Sequence, residues 1–103
     1  LLQETKFHVQ SLVLCPTREL ADQVADSLRS LAKNVANTKI VTLCGGVAIG
    51  PQIGSMQHSA HIVVGTPGRV LKHLQIGTLH VHGLGVLVLD EADRARHGLR
   101  GRD

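Results

Sequence analysis

The chain has 103 residues, enough for one domain at most, and 43% of them are hydrophobic, so a modest core is within reach. One Phe, no Trp and no Tyr make that core aliphatic and exclude an aromatic platform for stacking bases. The net charge of +3 is unevenly held, since Arg96, Arg100, Arg102 and Asp103 place two of the three excess charges in residues 95–103.

Residues 1–9 show no clear period and read as the tail of a helix plus a loop, which implies a missing upstream segment. Residues 10–15 predict a first strand, stopped by Pro16, which lacks the amide a central strand needs. Residues 17–35 predict the longest helix. Leu20, Val24, Leu28, Leu31 and Val35 recur at spacings of three and four, and Ala21, Ala25 and Ala32 widen the stripe. Thr17 suits its amino cap and Glu19 the positive end of its dipole. Residues 39–44 predict a second strand, followed at once by Gly45 and Gly46, which permit a tight turn. A short helix is expected within residues 49–59, with Pro51 in its first turn and Ile53, Met56 and Gln57 along it.

A third apolar strand is expected over residues 61–65. Thr66 then stands as a capping residue and Pro67 at the first helical position, with Val70, Leu71 and Leu74 behind them and Gly77 as terminator. Residues 79–84 read as a loop. Four large aliphatics, Val86 to Leu89, predict a last strand buried on both faces. Alternation of strand and helix is the order of a parallel α/β sheet with right-handed crossovers and helices on both faces. Cys15 and Cys44 each close an aliphatic run, as buried reduced thiols do. No signal peptide and no membrane-length apolar run occurs, so the expected compartment is cytoplasmic and no membrane partner is expected.

The chemistry gathers where strands end. The last strand runs into Asp90, Glu91 and Asp93, at the sheet edge where open α/β folds bind ligands. Asp90 suits magnesium, directly or through water, and Glu91 suits polarising a water for attack on a phosphate. An acidic first helical turn fits the same residues. Pro16, Thr17 and Arg18, then Gly45 and Gly46, then Thr66, Gly68 and Arg69 form three junctions on that same edge. Helix amino ends, a Thr hydroxyl and an Arg suit a phosphate backbone. Ordinary capping explains each junction alone, whereas three beside an acid pair favour a ligand. His80 and His82 make no recognised metal pattern and read as solvated.

These four segments resemble, in order and spacing, four signatures of the DEAD-box ATP-dependent RNA helicases: residues 16–21, Gly45 with Gly46, residues 66–69 and residues 90–93. The surrounding wording looks most like one bacterial member of the family. The resemblance implies part of a RecA-like ATP-binding domain over residues 1–94. It implies that Asp90 binds the magnesium of ATP, that Glu91 activates the hydrolytic water, and that Asp93 links the nucleotide site to the RNA-binding elements. It also implies that Pro16, Thr17, Arg18, Gly45, Gly46, Thr66, Gly68 and Arg69 contact the RNA backbone. Such contacts carry little sequence information. A second helicase domain and a role in ribosome assembly belong to the parent protein on the same reading.

The departures narrow this. No Gly-x-x-x-x-Gly-Lys segment occurs, nor the Ser-Ala-Thr motif expected after the acids, so the chain alone is expected to be an inactive fragment that binds ATP and magnesium poorly. The alternatives are a non-enzymatic phosphate-backbone module and, more weakly, a flavodoxin-like signalling domain. After Arg94 the resemblance stops. Residues 95–103 have one large aliphatic, and codons exist for them that yield the family's Leu-Asp-Met-Gly-Phe continuation in a shifted frame. The tail is therefore expected to be an out-of-frame translation, poorly packed, against the alternative of a divergent basic end for RNA.

Overall fold

A computed structural model of the chain describes residues 9–34, 38–58, 60–81 and 83–89. Within them β1 (Ser11–Leu14), α1 (Arg18–Ala32), β2 (Ile40–Leu43), α2 (Gly50–Met56), β3 (Ile62–Gly65), α3 (Pro67–Ile76) and β4 (Val86–Leu89) follow in the predicted alternation. All strand pairings are parallel, in the order β2-β3-β1-β4. From β1 the chain steps two places one way to reach β2, then returns one place to β3 and two more to β4. Right-handed crossovers that step in opposite directions place their helices on opposite faces. The packing agrees. Ala21 and Ala25 of α1 join Val13, Ile40 and Val64 on one face, whereas Val70 of α3 and Met56 of α2 pack with Leu12, Val41 and Val63 on the other.

The register makes these two layers continuous. Leu12 lies opposite Val63, which lies opposite Val41, and Val13 lies opposite Val64, so successive residues of each strand feed alternate layers. Each such aliphatic side chain taken out of water contributes about 1.5–3 kcal/mol. Cys15 and Cys44 are buried as predicted, and no disulfide joins them. Among the described residues, no helix is long and apolar enough to cross a membrane.

Two expectations need correction, for the long helix and for β4. The long helix ends at Ala32 with Lys33 as its cap, and Leu31, counted in the apolar stripe, is 78% exposed. A 15-residue helix runs about 22 Å while a four-residue strand covers about 13 Å, so the last turn overshoots the sheet. α2 forms within the expected range with Pro51 in its first turn, its buried residue being Gln52, while Ile53 and Met56 are half-buried and Gln57 is exposed. α3 starts at Pro67 and ends at the Gly77 cap as expected, with Val70 and His73 facing inward and Leu71 and Leu74 outward. β4 is parallel as expected but not buried: Leu87, Val88 and Leu89 are 56%, 42% and 60% exposed. Among the described strands it lies at the sheet's edge and pairs with β1 alone, and these three side chains belong to neither core layer. The expectations for Asp90, Glu91, Asp93 and residues 95–103 lie outside the described residues.

Candidate functional site

Three strands end level. Leu14 is opposite Gly65, and Gly65 is opposite Leu43, so Cys15, Thr66 and Cys44 open their junctions side by side. The ladder runs one residue further, with Cys15 N donating to the Gly65 carbonyl at 2.9 Å and Thr66 N to the Leu43 carbonyl at 3.1 Å. Its next bond would take the Gly45 amide to the Thr66 carbonyl. That carbonyl instead accepts from Val70 N at 2.9 Å and starts α3.

The displaced Gly45 amide finds the Thr66 hydroxyl, donating to Oγ1 at 3.1 Å. Thr66 is therefore the amino cap of α3 by position, with Pro67 in the first turn, but its side chain makes no capping bond. This corrects the expectation of ordinary capping. Thr17 does cap, its Oγ1 accepting from Leu20 N at 3.2 Å.

The two glycines differ in what they permit. Gly46 has φ of 85°, a conformation that disfavours any side chain, and a β-carbon placed there would lie 3.7 Å from Arg18 Nη1. The first and second junctions thus meet at Arg18 and Gly46. Gly65, beneath them, is glycine for another reason: a β-carbon there would lie against the Leu43 carbonyl and 2.7 Å from Val70 Cγ2. Between the second and third junctions lies an open hollow of about 540 Å³ lined by Gly45, Ile49, Thr66, Gly68, Arg69 and Lys72. Among the described residues its lining holds two cations and no acid, which suits an anion.

Two residues that the pattern of the sequence did not single out stand behind this hollow. Gln52 is 9% exposed and His73 fully buried. Gln52 Nε2 donates to the Cys44 carbonyl at 3.0 Å, and Arg69 Nη1 donates to Gln52 Oε1 at 3.1 Å. His73 Nε2 lies 2.9 Å from the same Oε1, and its Nδ1 lies 2.6 Å from Thr78 Oγ1. Burial, and then the neighbouring Arg69 charge, hold the His73 imidazolium down from the usual histidine value, so the ring is neutral. Burial, and then Asp22, push the Cys44 thiol up, against a smaller pull from Arg18, so it is a structural rather than a reactive thiol. The one available signal for His73 was its place three residues after Val70 on the same helix face.

Of the predicted site residues, Arg18, Gly45, Gly46, Thr66, Gly68 and Arg69 are thus gathered around one turn and one hollow. Pro16 is half-buried and Thr17 exposed at the head of α1. Among the described residues, no group of three or more His, Cys, Asp and Glu has the placement to hold a metal.

The family model of the DEAD/DEAH box helicases matches residues 1–103. The chain belongs to that family. It is 62% identical over 88 residues to the ATP-dependent RNA helicase DbpA of Escherichia coli, a span of 85% of this chain and 19% of that protein. It is 50% identical over 86 residues to the ATP-dependent RNA helicase DeaD of Haemophilus influenzae, covering 84% of this chain and 14% of the relative. To the probable ATP-dependent RNA helicase MJ0669 of Methanocaldococcus jannaschii it is 51% identical over 85 residues, 82% and 23% of the two chains. The chain therefore spans less than a quarter of the length of these relatives. The bacterial likeness expected from its wording is to DbpA.

Proposed function

We propose that this chain supplies part of the first RecA-like domain of an ATP-dependent RNA helicase, and that its junctions grip the RNA backbone. The observation that carries this reading is the hollow beside the Gly45–Gly46 turn, lined by Arg69 and Lys72 with no acid among the described residues. Arg69 suits a phosphate because its guanidinium is a fixed fork of donors, and Lys72 adds a point charge. Arg18, close to Gly46 across the turn, extends the same positive track. Thr66, Gly68, Pro16 and Thr17 complete the contact surface on this reading. All of these reach phosphate and sugar rather than base edges, so the grip is blind to sequence.

Asp90 and Glu91 are the residues that would hold the magnesium of ATP and position the attacking water, with Asp93 linking them to the RNA side. Carboxylate oxygens are the hard ligands this cation takes, and the ion supplies charge neutralisation at the phosphates. Cleft closure against a second helicase domain, in the cytoplasm, belongs to the parent protein on the same proposal. The 103-residue chain, with no Gly-x-x-x-x-Gly-Lys segment, is expected to turn over no ATP by itself.

The test is titration of the chain with fluorescent single-stranded RNAs of several sequences over a range of salt. Binding is expected to be weak and similar for all sequences, and Arg69→Ala should lower the slope of log affinity against log salt by about one. A strong preference for one sequence, or an unchanged slope in Arg69→Ala, would count against the proposal. Ending a second version of the chain at Arg94 removes the contribution of Arg96, Arg100 and Arg102.

A further inference from the structure

The side-chain amide of Gln52 has two neighbours whose roles are fixed by chemistry. The Cys44 carbonyl can only accept, so the group 3.0 Å from it is the amide nitrogen. The Arg69 guanidinium can only donate, so the group 3.1 Å from it is the amide oxygen. That oxygen also faces His73 Nε2 at 2.9 Å, which requires the imidazole to carry its proton on Nε2. Nδ1 of the neutral ring is then an acceptor, and of the two acceptors near the Thr78 hydroxyl, Nδ1 at 2.6 Å and the His73 carbonyl at 3.3 Å, the nearer ring nitrogen takes its proton.

The chain of contacts joins things that sequence keeps apart. The Cys44 carbonyl immediately precedes the Gly45–Gly46 turn, and Arg69 lies on a different helix. Among the described residues, the bond to Gln52 is the one hydrogen bond the Arg69 side chain makes. Two apolar side chains would fill the space of Gln52 and His73 without the cost of drying polar groups. What the polar pair provides in addition is direction: it aims the guanidinium and anchors the turn from beneath, while Thr66 Oγ1 anchors it from the side.

We propose that His73, as its Nε2–H tautomer, is a positioning residue that holds the Gly45–Gly46 turn and Arg69 together as one anion-binding unit. The functional meaning of that unit rests on the RNA-backbone reading above, but the linkage itself does not. His73 touches no ligand, and it acts through Gln52.

The experiment uses the full 103-residue chain, labelled with ¹⁵N. Two-bond ring correlations near neutral pH are expected to find the His73 proton on Nε2, and a proton on Nδ1 would overturn the proposal outright. Amide exchange at Gly45 and Gly46 and the Arg69 side-chain signal are then followed in His73→Leu, Gln52→Met and His73→Gln, with urea unfolding of each. Exchange at the turn should rise about tenfold in the first two and stay within about twofold in His73→Gln, whose amide keeps a donor toward Gln52. Turn exchange and an Arg69 signal that change only in step with global stability would mean a merely structural histidine and overturn the idea. Should His73→Leu fail to fold, Gln52→Met alone gives the same comparison.

RNA titration adds a functional arm. His73→Leu should lower the salt slope by about one, as Arg69→Ala does, and the double variant should fall no further. Independent, additive losses would contradict the linkage. If the unaltered chain binds no RNA, the backbone reading fails, while the ring tautomer and the turn exchange still decide this one.

Discussion

β1 and β4 are adjacent, share a register and have nearly the same residues, Ser-Leu-Val-Leu against Val-Leu-Val-Leu. Leu12 and Val13 of β1 are 5% and 7% exposed, whereas their partners Leu87 and Val88 are 56% and 42% exposed. Strand composition therefore does not determine burial here. Place in the sheet does: β1 has a strand on each side and a helix-bearing layer on each face, and β4 has β1 alone among the described strands. The same contrast divides the carboxyl edge. The half built from β1, β2 and β3 carries a cross-linked turn and hollow, and the β4 half presents aliphatic surface.

The largest expected effect is on the buried half. Gly65→Val should abolish a cooperative urea transition, a loss of more than about 4 kcal/mol, because the Leu43 carbonyl and Val70 leave no room for a side chain. A normal transition in that variant would show that the strand ends are not as tightly set as described. Next comes the direct comparison of partners. Leu12→Ala should lower unfolding free energy by about 2–5 kcal/mol and Leu87→Ala by less than about 1 kcal/mol, read from urea midpoints at constant slope. Equal losses would break the contrast between the two strands.

A smaller effect is set by pH. His73 is held below its unfolded value near 6.5, so the unfolded chain binds the proton more readily. Stability from this group is complete above about 6.5 and is lost as pH falls toward the depressed folded value, by at most about 1.4 kcal/mol per pH unit. His73→Gln should flatten that part of the stability profile, and an unaltered profile would show that another group is responsible. The smallest change is expected from Leu89→Lys on β4, within about 0.5 kcal/mol in stability but with higher solubility by light scattering. A large destabilisation there would mean that β4 contributes to the core after all.

Much of this arrangement was legible in residue order. Strand and helix alternation, the parallel sheet and the grouping of Arg18, Gly45, Gly46, Thr66, Gly68 and Arg69 at one edge all follow from local signals. Strand neighbours do not. Val86 to Leu89 read as a buried strand because a run of aliphatics is silent about whether both flanks are filled. Leu31 fitted the helical period, but a period cannot tell where the sheet beneath it stops. Thr66 looked like any amino cap until the lost ladder bond of Gly45 supplied a competing donor. Gln52 and His73 were passed over because polar residues read as surface, and their burial depends on each other and on Arg69.

The strand order also has a kinetic side. Ser11 of the central strand pairs with Ile62 and Val86, which follow it by 51 and 75 positions. Neither described strand that pairs with β1 is near it in sequence, so this part of its ladder must wait until β3 and β4 have been made. α1, whose bonds are local, is able to form much earlier. During that interval Leu12, Val13 and Leu14 lack both of these partners, and their exposure rather than the native state's is the more dangerous one for self-association. Slow closure of this part of the sheet is thus built into the order of the four described strands.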